Sequence, residues 1–321
     1  MAGAAGRLST RVLAQGDGWT VQDVVCTSGP QDRAFEERHA RVSIAIVAAG
    51  SFQYGSAGAR ELMTPGSLLL GNAGQCFECG HEHGAGDRCL SFQYTPDYFE
   101  TLAADAGARG PKWDFRVLRL PPLRSLSRLV ARACAALAAS AEGSFEERAQ
   151  HVVGRETVAA PDGDARRTLC AWEELSVQLA AQSVQLMDGV APGPRTVPTA
   201  ALARVTRAVR MIERNPCAGL GIGTLARESG LSPYHFLRTF AQLTGITPHQ
   251  YVVRSRLREA AARLSTAQRV RRAPPSDTGT VSRRTLGASS LEESSKVLDI
   301  ALDSGFADVS NFNRAFRMEF G

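Results

Sequence analysis

Residues 222–230 read I-G-T-L-A-R-E-S-G and residues 297–305 read V-L-D-I-A-L-D-S-G. Each runs into a helix-like segment, L-S-P-Y-H-F-L-R-T-F-A-Q-L-T-G from Leu231 and F-A-D-V-S-N-F-N-R-A-F-R-M-E-F-G from Phe306, and the two share F-x-R-x-F-x4-G. One unit is therefore written twice in the last third of the chain. In each copy a short helix, with Leu225 and Ala226 or Ile300 and Ala301 inward, ends at Ser-Gly, where glycine can take the left-handed backbone that reverses the chain. The small alanine lets a second helix cross closely. Ser232 followed by Pro233 is an N-cap with proline at the first helical position, and Gly245 is the stop.

On a 3.6-residue wheel Phe236, Phe240 and Leu243 share one face, which turns Tyr234, Arg238 and Ala241 the other way. The second copy buries Phe312 and Phe316 and turns out Ser310, Arg314 and Arg317. Both exposed faces thus carry an arginine at the same place. A recognition helix in a major groove needs such a residue, because arginine can donate two hydrogen bonds to guanine O6 and N7. A single copy is explained equally well by arginines that merely solvate a helix; two copies in register favour DNA. Between the units, residues 248–264 read as one amphipathic helix with Tyr251, Leu257, Ala260, Ala261 and Leu264 on a stripe. Its length of roughly 25 Å, with the width of the units added, would set the two recognition helices on adjacent turns of a duplex about 34 Å apart.

These residues resemble the AraC/XylS-type transcription regulators, whose DNA-binding domain is two helix-turn-helix units joined by a long helix. The resemblance covers about residues 200–321 and rests on S-G-L-S-P-Y-H-F-L-R-T-F and D-S-G-F-x-D-x-S-N-F-N-R-A-F. It implies base-reading positions at Tyr234, Leu237 and Arg238 in the first unit and at Val309, Ser310, Asn313 and Arg314 in the second. Leu237 and Val309 have no polar group, so thymine methyls are what they can read. Two departures stand out. The family's short turn into the second unit is replaced by an Arg-, Ser-, Pro- and Gly-rich insertion at about 267–295, which reads as a disordered loop and costs about 1–2 kcal/mol in loop closure. The chain also stops at Gly321, so the second recognition helix is expected to fray at its end.

The 321 residues suffice for two separate cores. Residues 196–321 hold 18 Lys+Arg against 10 Asp+Glu, whereas residues 1–195 hold 19 against 22. A basic C-terminal part is the footprint expected of a phosphate-binding face. Seven cysteines, an odd number, fit a reducing compartment better than a disulfide framework. The first residues lack the apolar run of a signal peptide and no stretch approaches a membrane span, so the expected location is the cytoplasm.

Residues 20–95 read as short strands, around Val21, from Arg41, from Gly50, from Gly66, from Gln75 and from Cys89, separated by glycine-rich turns. This spacing suggests an antiparallel sandwich or barrel, and the Thr64-Pro65-Gly66 turn resembles the second half-motif of a cupin. Helical patterns follow at residues 123–139, 142–159 and 166–187, serving equally well as a dimer contact or as a cover for the barrel. The fold expected is multidomain: a cupin-like β-barrel with following helices over residues 1–187, a linker at 188–199, and an all-α double helix-turn-helix domain over 200–321.

Cys76, Cys79, His81 and His83, with Cys89 nearby, have the ligand types of a zinc or other soft-metal site. A strand end with buried cysteines and a polar hairpin explains the same residues, and so does a thiol redox sensor. A cupin-type metalloenzyme would need a His-x-His, a Glu and a further His converging on one metal. Only His39 stands in the first half-motif region, and Leu69 occupies the histidine position of the second, so no enzyme is expected. The chain reads as a DNA-binding transcription regulator controlled by a small effector in the barrel, with metal- or redox-responsive control as the alternative. Expected partners are double-stranded promoter DNA, the effector, a second copy of the chain as a homodimer, and RNA polymerase, with no membrane. An activator is the working expectation, although no residue separates it from a repressor.

Overall fold

The computed structural model describes residues 8–109, 113–150, 163–187, 198–272 and 297–321. Strands β1 (Leu8–Gly16), β2 (Trp19–Cys26), β3 (Phe35–Arg38), β4 (Val42–Gly50), β5 (Phe52–Ser56), β6 (Ala59–Met63), β7 (Leu68–Gly71), β8 (Cys76–Gly80) and β9 (Asp87–Tyr94) come first. Helix α1 (Pro96–Asp105), the short β10 (Arg119–Leu120), α2 (Arg124–Gln150) and α3 (Gly163–Leu186) follow. The remaining elements are α4 (Thr199–Arg214), α5 (Ile222–Glu228), α6 (Pro233–Thr244), α7 (Pro248–Arg272), α8 (residues 297–303) and α9 (Val309–Phe320).

The strands form two antiparallel sheets, one ordered β1-β2-β9-β4-β7-β10 and the other β3-β8-β5-β6. Side chains alternate across the large sheet. Ile44, Ile46, Leu68, Leu70, Leu90 and Phe92 point out of the barrel into a core shared with Trp172, Leu175 and Leu179 of α3. Their neighbours Ala45, Val47, Leu69 and Cys89 point inward and meet Phe52, Tyr54, Met63 and Cys79 of the small sheet. Strands β4, β7 and β9 are thus buried on both faces, which is why they read as near-continuous apolar runs. Helices α1–α3 cover the large sheet's outer face, where the Tyr94 hydroxyl donates to the Ser176 carbonyl at 2.9 Å. Four strands that the pattern does not predict, β1, β3, β6 and β10, are the four sheet edges.

The C-terminal helices hold two cores. Leu202, Val205, Val209, Ile212, Leu225, Phe236 and Phe240 pack α4, α5 and α6 around Tyr251 of α7; Leu257, Ala260, Ala301 and Phe312 join α7, α8 and α9. The reversals fall where the repeats place them, with Gly230 at φ 63° and Gly305 at φ 78°. Ser229 and Ser304 are both buried beside them. Ser232 accepts from the His235 amide and opens α6, and Gly245 closes it with φ 78°.

Three expectations are corrected. The pattern at 123–139 and 142–159 predicts two helices, but α2 runs unbroken to Gln150, because a glycine such as Gly143 costs a helix only about 1 kcal/mol; residues 151–162 lie outside the described residues. The joining helix does not stop at 264: α7 continues to Arg272, so the first residues of the insertion expected to be disordered are helical, their S-T-A-Q-R-V-R-R run having no helix breaker. The rest of that insertion, 273–296, and the linker residues 188–197 lie outside the described residues. Finally, the end of α9 does not fray. Glu319 pairs with Arg254 of α7 at 3.0 Å and accepts from Ser127 of α2, and Phe320 packs on the α7–α9 core.

Candidate functional site

The two helices expected to read bases, α6 and α9, present similar faces. Their phenylalanines anchor them, Phe236 and Phe240 fully buried and Phe312 nearly so, whereas Phe316, expected to be buried, is half-buried between Phe312 and Phe320. Tyr234, Arg238, Ser310, Asn313 and Arg314 are exposed, with Leu237 and Val309 half-buried beside them. Tyr234 is the most open large apolar side chain of the chain's described residues, 64% accessible, and the Arg238 guanidinium lies 5.9 Å from its ring centroid. In the second unit the cap itself braces the arginine. Asp308 accepts from the Asn311 amide at 2.7 Å, the Asn311 side chain donates back to Asp308 at 2.6 Å, and its Oδ1 accepts from Arg314 Nη2 at 2.8 Å. Asn311 is thus a positioning residue that the helical wheel alone does not reveal.

The helix-turn-helix part is docked on the barrel. Arg119 of β10 is almost fully buried; its Nε donates to Glu61 of β6 at 3.0 Å and its Nη1 to the Thr244 carbonyl, at the end of α6, at 2.9 Å. Leu62 of β6 belongs to the core of α4–α6. At Gly245 a Cβ would lie 2.5 Å from Pro121, so the glycine allows this close approach as well as the left-handed turn. Arg254 donates to the Pro122 carbonyl, and Arg210 of α4 donates to the His83 carbonyl at 3.3 Å. Arg119 carries no sequence signal, since its partners lie 58 and 125 residues away.

Inside the barrel a cavity of about 280 Å³ opens between the sheets, near the lower end of the ~300–1,000 Å³ typical of small-ligand sites. Phe35, Phe52, Leu69 and Phe77 give it an apolar lining, and His39, Arg41 and Gln93 supply polar groups. His39 bonds the Tyr54 hydroxyl at 2.7 Å and stacks on Phe77. Burial lowers its pKa to about 4, so it is neutral at physiological pH.

The Cys/His cluster is split by the strand. Cys76 is exposed at the start of β8, whereas Cys79 is buried in the barrel. His83 sits in the turn facing α4 and lines a separate surface groove with Arg207 and Arg210. Of the four residues singled out as ligands, His81 alone joins a compact donor group, with Cys26 and Asp87. His81 Nε2 is 2.5 Å from Asp87 Oδ1, and both side chains are nearly inaccessible. Burial opposes protonation of His81, but hydrogen bonds with Asp87 and Cys26 outweigh it and push its pKa up to about 9. Cys26 is absent from any local motif; it meets Asp87 because the β2–β9 ladder sets the two directly opposite.

Comparison with known proteins fits this geometry. The family model for bacterial regulatory helix-turn-helix proteins of the AraC family matches residues 212–252, the first of the two units. The model for the AraC-like ligand-binding domain matches residues 23–153. The "Probable transcription factor PqrA" of Proteus vulgaris is 31% identical over 109 residues, 34% of this chain and 66% of that protein. The match therefore spans a little under two thirds of that relative's length. Among solved structures, a cupin superfamily protein from Desulfitobacterium hafniense is similar at 12% identity, over 30% of this chain and 84% of that one, with a TM-score of 0.25. The DMSP lyase DddQ from Ruegeria pomeroyi is similar at 15% identity, over 27% and 47%, with a TM-score of 0.25. One family model falls on the barrel and its first helices and the other on the first helix-turn-helix, and the chain accordingly belongs to the AraC family of bacterial regulatory helix-turn-helix proteins, with an AraC-like ligand-binding domain ahead of its DNA-binding type of unit.

Proposed function

We propose that this chain is a cytoplasmic transcription regulator that binds promoter DNA through α6 and α9 and takes a small effector into the barrel cavity. The observation that carries this reading is the paired exposure of Arg238 and Arg314 on two helices anchored in the same register, by buried Phe236 and Phe240 in α6 and by buried Phe312 with half-buried Phe316 in α9. Tyr234, Leu237 and Arg238 read one stretch of major groove, and Val309, Ser310, Asn313 and Arg314 the next. The working division is 1–187 for sensing, 188–199 as linker and 200–321 for DNA. A second copy of the chain and RNA polymerase are its further partners. An effector acts by shifting the population between docked and released arrangements of the two parts; the Arg119, Leu62 and Arg210 contacts are where a change in the barrel is felt by α4 and α6.

Regulation, rather than catalysis, also suits the barrel's inward positions. Ala45, Val47, Tyr54 and Leu69 stand there, and none of the three aliphatic side chains can ligate or polarise a substrate. Among the described residues no helix is long and apolar enough to cross a membrane.

The test is fluorescence anisotropy of the full chain with duplex from immediately upstream of its own gene, against scrambled duplex, across a salt series. Preference for the native fragment that weakens in Arg238→Ala supports the reading. Equal binding of both duplexes at every salt concentration refutes it.

A further inference from the structure

A thiol, an imidazole and a carboxylate meet on the wall of the barrel cavity, and nothing in the DNA-binding reading uses them. Cys26 ends β2, Asp87 begins β9 directly opposite it, and His81 follows β8. Their ligand atoms all lie within 4.8 Å of one another, and all three line the cavity. A tetrahedral zinc ion with bonds of about 2.0–2.3 Å separates its ligand atoms by about 3.3–3.8 Å, so small side-chain rotations bring the three into place. Core hydrogen bonding links His81 to both Asp87 and Cys26, but a thiol, an imidazole and a carboxylate this close together on the wall of a cavity also have the composition of a metal centre with one open position.

We propose that Cys26, His81 and Asp87 form a site for a borderline divalent transition metal, zinc foremost, inside the sensor barrel. Thiolate and imidazole disfavour hard ions such as magnesium and calcium, and a single carboxylate is too few for them. Cys26 binds as its thiolate and His81 through Nε2, any proton on either ligand atom passing to solvent, and an Asp87 carboxylate oxygen supplies the third bond. The fourth position faces the cavity, where water or an effector with a lone pair completes the shell. The chain between His81 and Asp87 also carries the His83 carbonyl that receives Arg210 of α4. A metal that fixes this segment therefore acts within two residues of the contact to the DNA-binding part. The site differs from the one expected of the local Cys-x2-Cys and His-x-His pattern, since Cys76 and His83 take no part in it.

The test uses the chelator-stripped full chain titrated with Co(II), whose thiolate charge-transfer and tetrahedral ligand-field bands report the ligands, with Zn(II) as competitor and Mg(II) as control. The expected result is saturation at one equivalent, displacement by Zn(II) and indifference to Mg(II). Cys26→Ser is expected to abolish the charge-transfer band and weaken Zn(II) binding by more than the ~100-fold upper value for loss of an outer-shell partner. Cys76→Ser is expected to change neither. Asp87→Asn keeps the shape of the side chain, and tryptophan emission identical to the parent establishes that it folds; it too is expected to weaken Zn(II). Absence of saturable Co(II) binding overturns the proposal, and so does a charge-transfer band that survives Cys26→Ser. None of these readouts involves DNA, so the site stands or falls apart from the regulatory reading.

Discussion

Arg119→Ala tests whether the barrel and the helix-turn-helix part stabilise each other. The guanidinium is 7% exposed and its Glu61 partner 11%. Truncation leaves Glu61 as a buried charge without its cation and removes the charge-assisted donor to the Thr244 carbonyl, one of the terminal carbonyls that α6 cannot satisfy within itself. Breaking a buried pair by removing one partner costs about 3–5 kcal/mol, and the Thr244 bond is part of that figure. Replacing both partners, in Arg119→Met with Glu61→Leu, removes the stranded charge. Such an apolar pair is expected to recover most of the loss, leaving about 1–2 kcal/mol for the orphaned carbonyl.

Urea unfolding reads this cleanly because the three tryptophans, Trp19, Trp113 and Trp172, all lie in the N-terminal part. Their emission follows the barrel, while far-UV circular dichroism is weighted to the helices. In the parent the two signals should move together. In Arg119→Ala both midpoints should fall, with the helical signal melting first because α6 has lost its anchor. A single mutant within about 1 kcal/mol of the parent, or a double mutant no better than the single, would refute the claim that this pair holds the two parts together.

Arg238→Ala should cost about 1–3 kcal/mol on the specific duplex and little on random DNA, as measured by anisotropy. Arg314→Ala should do the same, and Asn311→Ala should reproduce part of that loss by freeing the Arg314 side chain; equal affinity of Arg314→Ala and parent would show that the second unit does not engage. His39 makes stability pH-dependent. Its folded pKa is about 4 against about 6.5 unfolded, so its contribution is complete above pH ~6.5 and is lost as the pH falls towards 4. At pH ~5 this amounts to about 2 kcal/mol, and His39→Gln should flatten the decline in urea midpoint between pH ~7 and ~5. Arg210→Ala should leave Co(II) uptake intact and erase any difference in DNA affinity between metal-loaded and metal-free protein; a difference that persists would place the coupling elsewhere.

What could be read from the sequence follows burial. Strands β4, β7 and β9 announce themselves because both faces are covered, one by the barrel interior and one by α1–α3. The strands that escape the pattern are the sheet edges. β3 is F-E-E-R with three exposed residues, and β1 is mostly exposed. These two exposed edges carry polar or charged residues because an apolar edge would pair with other chains, and that composition hides them from periodicity, whereas β10, two buried residues long, is too short to show a period. The α6 and α9 faces are legible for a further reason. The repeat is an internal control: the phenylalanine pair buried in the first copy predicts the face of the second, where Phe312 is buried and Phe316 half-buried.

The candidate sites divide along the same line. A face built on one helix has a period, so the outward turn of Tyr234, Arg238, Ser310 and Arg314 could be placed before any coordinates. A site built across a ladder has none. Cys26 and Asp87 are 61 residues apart and adjacent only because of the β2–β9 register, while the local cluster around Cys76 and His83 looks richer than it is, because alternation along β8 and the turn after it send those side chains to different surfaces. Proximity in sequence therefore overstates the cluster and understates the ladder. The same holds for Arg119, whose partners on β6 and α6 make it a joint between the barrel and the helix-turn-helix part. Helical periodicity thus specifies an exposed helix face, whereas a joint or a donor group built across strands depends on side chains that only the folded sheet brings together.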